Sequence, residues 1–129
     1  MTTDELKLRT KNFSLRVINL IEHLPNNKVS NVIGNQLLRS SSSIGANYRA
    51  ACRSRSKSEF ISKIRIVEEE ADESIYWIEL VMEAKLLSEN KLIGLLNESK
   101  ELTAIFTAIG KTSKLNLKNS KSEIPNSKL

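Results

Sequence analysis

The sequence of 129 residues contains few of the residues that interrupt helices or build covalent and metal frameworks. It has four glycines, two prolines, one cysteine and one histidine, and aromatic residues make up 5% of the chain. Sandwiches and barrels need many turn residues, so the scarcity of Gly and Pro favours an all-α fold. A lone cysteine excludes an intrachain disulfide and is typical of a reducing compartment.

Long apolar segments are also missing. No segment approaches the roughly 20 consecutive apolar residues that cross a bilayer, and residues 1–7 carry charges where a signal peptide would be apolar. We therefore expect a cytoplasmic protein with no membrane partner. The length suits one domain with a single hydrophobic core.

The residue sets that carry catalysis or hold metals are incomplete. Cys52 has no histidine near it in sequence, and His23 has no second His or Cys with which to share a metal. The carboxylates of residues 68–83 could suggest a metal cage, but the Glu-x-x-His motifs of di-iron bundles are missing. There is no glycine-rich phosphate loop. We therefore expect no catalytic residues, no metal and no cofactor.

Apolar residues recur at helical spacings in four segments. These segments predict helices at about residues 4–24, 30–55, 58–87 and 91–113, joined by short turns. The pattern predicts an all-α, up-down-up-down antiparallel four-helix bundle over residues 1–114. Residues 115–129 are rich in Asn, Ser and Lys and lack sustained periodicity, so we expect a disordered tail there.

Two features of the predicted helices concern their contacts. The serines at 40–43 and Gly45 are poor helix formers, but the apolar pattern continues on both sides of them. They predict an unbroken helix that a neighbouring helix, a ligand or a second subunit approaches closely. The third helix is apolar on two faces around Tyr76 and Trp77, as expected if it contacts the core and another subunit.

Charge differs sharply between the second and third predicted helices. Net charge is +5 with a pI near 9.4, but residues 36–57 contain no acidic residue, whereas residues 58–89 are strongly acidic. If the two helices are antiparallel about a turn near residues 56–57, opposed positions sum to about 113. Arg39 then lies within reach of Glu70 and Glu73, which predicts a partly buried ionic network.

A set of basic residues surrounds the predicted turn between these helices. It comprises Arg49, Arg53, Arg55, Lys57, Lys63 and Arg65. One interpretation is a surface that contacts the phosphate backbone of RNA or DNA, because few aromatic residues accompany it and base stacking is not expected. The alternative is a solvated end of the bundle, favoured by basic residues near a helix C-terminus.

Three motifs together resemble a known family. They are Gln36-Leu-Leu-Arg-Ser-x-x-Ser-Ile-x-Ala-Asn-Tyr, Ser56-x-x-Glu-Phe-x-x-Lys and Glu70-x-x-Glu-Ser-x-Tyr-Trp. Over residues 5–113 the chain resembles proteins encoded in intervening sequences of bacterial 23S rRNA genes, also called the S23 ribosomal protein family. It is similar, more distantly, to the accessory protein of diversity-generating retroelements.

This resemblance implies a four-helix bundle that forms a ring, typically a homopentamer, without known catalytic activity. It implies nucleic-acid binding, and the more distant similarity implies a protein partner such as a reverse transcriptase. The alternative function is a ring-shaped scaffold that binds only proteins. The structural motif positions carried over are Gln36, Arg39, Ser43, Asn47, Glu70, Glu73, Tyr76 and Trp77. This chain has Ala50-Ala51 where many members have a Glu, so its second helix is more basic than usual.

Overall fold

Four helices account for most of the chain. The computed structural model describes the backbone of residues 1–127 and the side chains of residues 1–120. The helices are α1 (Thr3–Glu22), α2 (Lys28–Ala51), α3 (Lys57–Glu83) and α4 (Glu89–Ser127). Each packs against its neighbours in the sequence, and α1 also packs against α4. This arrangement confirms the predicted all-α, up-down-up-down antiparallel bundle.

The helix starts are determined by local capping. Thr2 and Glu5 form a reciprocal capping box at α1. The Asn27 side chain accepts a hydrogen bond from the Ser30 backbone at 2.9 Å, and Ser56 accepts one from the Glu59 backbone at 3.1 Å. Each cap satisfies a backbone N–H that the first helical turn leaves without a partner.

The second and third helices end earlier than the sequence predicts. α2 ends at Ala51 rather than near residue 55, and α3 ends at Glu83 rather than near residue 87. α3 stops because Lys85 adopts a left-handed conformation with φ of 58°. The Leu86 N–H then bonds the Val81 carbonyl at 3.0 Å, which is the six-to-one bond of a Schellman motif.

The fourth helix is longer than predicted. It continues past residue 113 to Ser127, through most of the segment for which the sequence predicts a disordered tail. Extending an existing helix adds one hydrogen bond per residue without a new nucleation cost, and Ser120 accepts a hydrogen bond from Lys57 Nζ at 3.1 Å. The last two positions of the predicted tail, 128–129, lie outside the described residues.

The core lies between all four helices and contains aliphatic and phenylalanine side chains. Its largest fully buried members are Phe13, Val17, Leu37, Ile44, Ile64, Val67, Ile78, Val81, Leu92, Leu102 and Phe106. These are the positions at which apolar residues recur in the sequence with helical spacing. One core aromatic pair, Tyr48 and Phe106, packs edge to face with ring centroids 5.3 Å apart.

The serine-rich part of α2 is helical and closely packed, as predicted. Ser40 and Ser74 are fully buried, and their hydroxyl oxygens lie 2.9 Å apart between α2 and α3. On the other side of α2, a Cβ at Gly45 would lie 3.2 Å from Thr10 Oγ1. Of the three predicted occupants, the structure therefore places neighbouring helices, α3 and α1, against the small residues.

Candidate nucleic-acid interface

The α2–α3 seam places the predicted Arg39 network on the surface. Arg39 forms salt bridges with Glu70, at 3.1 Å, and with Glu73. Glu73 also accepts a hydrogen bond from Trp77 Nε1 at 2.9 Å, and Arg39 Nε donates to Gln36 Oε1 at 3.4 Å. The predicted partners of Arg39 are confirmed.

The network is partly buried, as predicted, but unevenly so. The Glu70 side chain is 18% exposed and Glu73 is 36% exposed, whereas Arg39 is 49% exposed where it reaches across the seam. Partial desolvation lowers the pKa of Arg39, but the charges and hydrogen bonds of Glu70 and Glu73 outweigh it and raise that pKa above its ordinary value. Exposed pairs of this kind contribute about 0–1 kcal/mol.

The other motif residues lie along the same seam. Ser43 Oγ donates to the Arg39 carbonyl, and Asn47 Nδ2 donates to the Ser43 carbonyl, both at 2.8 Å. Tyr76 is 56% exposed, and its ring lies against Trp77 with centroids 5.0 Å apart. The eight motif positions therefore form one continuous polar and aromatic strip across α2 and α3.

The six predicted basic residues all lie toward the end of the bundle where α2 meets α3, but they do not share one face. Four of them are exposed at the end of α2, in the turn and at the start of α3; we call Arg49, Arg53, Arg55 and Lys57 the basic turn. Lys63 is half-buried and lies 3.8 Å from Glu59. Arg65 follows Lys63 by two residues, which rotates it by about 200° around α3.

Arg65 belongs instead to a second basic group on the α3–α4 side. Thr107 donates a hydrogen bond to Glu68 at 3.0 Å, and Gly110 lies against Ile64. This register places Arg65 beside Lys111, with Lys114 and Lys118 about one and two helical turns further toward the α2–α3 turn. The second group consists of Arg65, Lys111, Lys114 and Lys118, all exposed.

Sequence reasoning missed the lysines of α4. The signal was present, because positions 111, 114 and 118 are spaced by three and four and so share one face of a helix. The disorder predicted for residues 115–129 hides this face, because only Lys111 and Lys114 precede residue 115. The basic turn and the α3–α4 group together are called the basic end below.

The four cations of the basic turn make no ion pair among the described side chains, residues 1–120. Carboxylates do lie at the same end, because α1 begins there with Asp4 and Glu5, and Glu59 pairs with Lys63. Lys57 reaches a hydroxyl rather than a carboxylate, and α2 contains no acidic residue. The positive charges of Arg49, Arg53 and Arg55 therefore face solvent.

Other kinds of site are not seen in the described part of the chain. Residues 1–120 contain no group of three or more His, Cys, Asp or Glu side chains placed to hold a metal ion. In the same part of the chain, no helix has the length and apolar content needed to cross a bilayer.

An ionic clamp that sequence reasoning missed joins α1 to α4. Arg9 donates two hydrogen bonds to Glu98, from Nε at 2.8 Å and from Nη2 at 2.7 Å. Nη2 also contacts Glu101 at 3.0 Å. The hydrogen bond from Arg9 lowers the pKa of Glu98 below its ordinary value. No short turn joins α1 to α4, so their register could not be predicted from the length of a connection.

The fold and its surface define a small all-α protein, a four-helix bundle with a polar seam and a basic end. The family model described as 23S rRNA-intervening sequence protein matches residues 5–108. The chain belongs to this family, which confirms the main resemblance. The resemblance to the retroelement accessory protein stays a prediction.

Comparison with solved structures supports the same assignment. A protein of unknown function from the S23 ribosomal protein family of Bacteroides thetaiotaomicron VPI-5482 is 34% identical in sequence. Its structure superposes with a TM-score of 0.76, covering 81% of this chain and 97% of that chain. The comparison with curated proteins gives no match.

Proposed function

We propose that this protein is a non-enzymatic bundle that binds the phosphate backbone of RNA or DNA through its basic end. The observation that carries the proposal is the set of exposed cations in the basic turn, which form no ion pair with a carboxylate of residues 1–120. Phosphate contacts release counterions, so such a surface binds strongly at low salt and with little base preference.

The α3–α4 group extends this proposal around the bundle. Lys111 and Lys114 add charge on a second face, so a bound strand would contact two sides of the basic end. Because the basic residues wrap the end instead of lining a groove as wide as a duplex, we expect a preference for single-stranded or looped RNA over a straight duplex.

The test is the salt dependence of binding. Fluorescence anisotropy would measure the affinity for labelled single-stranded and duplex RNA and DNA between low and physiological salt. We expect the logarithm of the binding constant to fall steeply and linearly with the logarithm of the salt concentration. Replacing both Arg49 and Arg53 with Gln should reduce the slope of that line by about 1.4 units for single strands.

The control changes the same charge at the opposite end of the bundle. Lys28 and Lys91 are both exposed and lie at the starts of α2 and α4, so replacing both with Gln removes two charges far from the basic end. Equal losses in the two double variants, or a flat salt dependence in the wild type, would contradict the proposal.

A second candidate function is a homo-oligomeric scaffold, for which the family resemblance suggests a pentameric ring. The observation that favours it is the number of large apolar side chains left exposed on the outer faces. Leu8 and Leu15 on α1 are 59% and 55% exposed, and Val29 and Val32 on α2 are 57% and 55% exposed. Light scattering that gives the mass of a monomer at micromolar concentration would exclude it.

In the scaffold form of the proposal, the partner is a protein, such as the reverse transcriptase that the more distant resemblance suggests. Binding of a purified reverse transcriptase that survives high salt and replacement of the basic turn would favour the scaffold over the nucleic-acid function.

A further inference from the structure

A cavity of about 660 Å³ opens at the basic end of the bundle. All four helices contribute to its wall, together with the α2–α3 turn. The lining residues on which the argument depends are Tyr48, Cys52, Ser54, Arg55, Lys57 and Phe60. Asn116 of α4 also lies on the wall, at an exposed position near the mouth. The volume of the cavity falls in the range of small-molecule sites, about 300–1,000 Å³.

The wall combines positive charge with an apolar surface. Arg55 and Lys57 supply two cations, and no carboxylate is among the described residues that line the cavity. The half-buried Phe60 supplies aromatic surface, and the largely buried Tyr48 contributes a smaller part. A ligand that matches both features carries an anionic group attached to a flat, largely apolar ring.

Ser54 adds a polar group without a partner. Its Oγ is shielded from solvent and, in the described part of the chain, makes no hydrogen bond. A buried hydroxyl without a partner lowers stability, and such groups in folded proteins usually receive a ligand or water. Tyr48 also lines the cavity, and burial together with the neighbouring Cys52 thiol raises its pKa from 10 to about 12. Its hydroxyl is neutral at physiological pH at either value and does not repel an anion.

We propose that this cavity binds a nucleoside monophosphate, either free or at the phosphorylated end of a strand. The phosphate lies between Arg55 and Lys57, and the base lies against Phe60. The strand-end form deepens the proposed nucleic-acid function, whereas binding of a free nucleotide does not depend on it.

Cys52 provides a direct readout because it lines the cavity and is the single cysteine of the chain. The rate of its alkylation by iodoacetamide would be measured with the full chain in the presence of AMP or UMP. We expect saturable protection of at least threefold. Inorganic phosphate at the same concentrations is the companion probe, and equal protection by phosphate alone would overturn the assignment of a nucleoside.

Two oligonucleotides distinguish the sources of the ligand. The same short RNA, with a 5′-phosphate or a 5′-hydroxyl, would be added in place of the mononucleotide. Stronger protection by the phosphorylated strand supports the strand-end form, and protection by AMP or UMP without any by either strand supports the free nucleotide. If none of these ligands protects Cys52, the proposal is wrong.

A matched pair of variants tests the location. Asn116→Trp fills the mouth of the cavity without changing charge, and Asn97→Trp adds the same side chain at an exposed position in the first half of α4, far from the lining. We expect Asn116→Trp to lower mononucleotide affinity at least tenfold and Asn97→Trp to leave it unchanged. Equal affinities, measured by calorimetry on variants with wild-type helical content, would overturn the proposal.

The two proposals fail separately. If RNA binding is steeply salt-dependent but nucleotides do not protect Cys52, the cavity assignment is wrong and the proposed function stands. If nucleotides protect Cys52 but no nucleic acid binds at low salt, the proposed function is wrong and the cavity assignment stands.

Discussion

Replacing Glu98 with Gln tests how strongly the first and last helices are held together. Glu98 accepts two short hydrogen bonds from Arg9, at 2.7 and 2.8 Å, and the side chains of Arg9 and Glu98 are 27% and 15% exposed. Hydrogen bonds to charged groups contribute about 1.5–3 kcal/mol when they are well shielded. Exposed ion pairs contribute about 0–1 kcal/mol.

Because the Arg9–Glu98 pair is partly exposed, we expect the loss of unfolding free energy in Glu98→Gln to lie between those limits. Gln retains one acceptor, and Glu101 lies 3.0 Å from the same guanidinium and can take part of the charge. We therefore expect Glu98→Gln to lower the free energy of unfolding by about 1–2 kcal/mol at pH 7. Urea denaturation, with the midpoint and slope fitted together, measures this difference.

The pH dependence of that difference follows from the direction of the pKa shift. The pKa of Glu98 is lower in the folded protein than its ordinary value of 4.5, chiefly because of the hydrogen bond from Arg9. The ionised form therefore stabilises the folded state above the unfolded pKa, and this contribution is lost as the pH falls through the folded pKa. The stabilities of the wild type and Glu98→Gln should begin to converge as the pH falls below 4.5, and should converge fully once the pH lies below the folded pKa of Glu98.

Glu101→Gln is the matched control. Its side chain is 67% exposed, so we expect a cost below about 0.5 kcal/mol. Equal costs for the two substitutions, or a wild-type advantage that persists unchanged at acidic pH, would refute the reasoning about the Arg9–Glu98 clamp.

Three further predictions concern single positions. Lys85 adopts a left-handed conformation, so Lys85→Gly should raise the free energy of unfolding by about 1 kcal/mol, and thermal denaturation should show no gain for Lys85→Ala. Gly45→Ala should lower the free energy of unfolding by about 1–2 kcal/mol, because the new Cβ would lie 3.2 Å from Thr10. Gly94→Ala should raise the free energy of unfolding by about 0.5–1 kcal/mol, because the nearest contact of its Cβ is a flexible arginine tip at 3.4 Å. The surface position of Arg39 predicts that Arg39→Met costs less than about 1 kcal/mol in urea denaturation, and a cost above 3 kcal/mol would indicate a buried pair after all.

The partners across the α2–α3 seam were predictable because the connecting turn is short. Once the turn was placed near Ser56, the antiparallel register followed, and Arg39 fell opposite Glu70 and Glu73. The uneven burial of the three side chains did not follow. Helical spacing gives the direction in which a side chain leaves the helix, but not how far the neighbouring helix extends to cover it.

Contacts between helices distant in the sequence were not predictable in the same way. Arg9 and Glu98 are separated by most of the bundle, so their alignment depends on how all four helices pack. The length of α4 was missed for a different reason. The composition of residues 115–129 as a whole is typical of a disordered segment, whereas the spacing of Lys111, Lys114 and Lys118 by three and four is that of a continuing helix.

The buried hydroxyls of Ser40 and Ser74 also limit how α2 can slide along α3. A shift of one helical turn, about 5.4 Å, would place Ser40 opposite Ala71 or Ile78 and separate the two hydroxyls. Each would keep a bond to its own helix, at 3.3 Å to Leu37 and 2.9 Å to Glu70, so the penalty is near the lower end of about 1–3 kcal/mol. The same shift would move Arg39 away from its carboxylates. The buried serine pair and the arginine–carboxylate contacts therefore select one alignment of α2 along α3. Apolar side chains alone would allow several alignments.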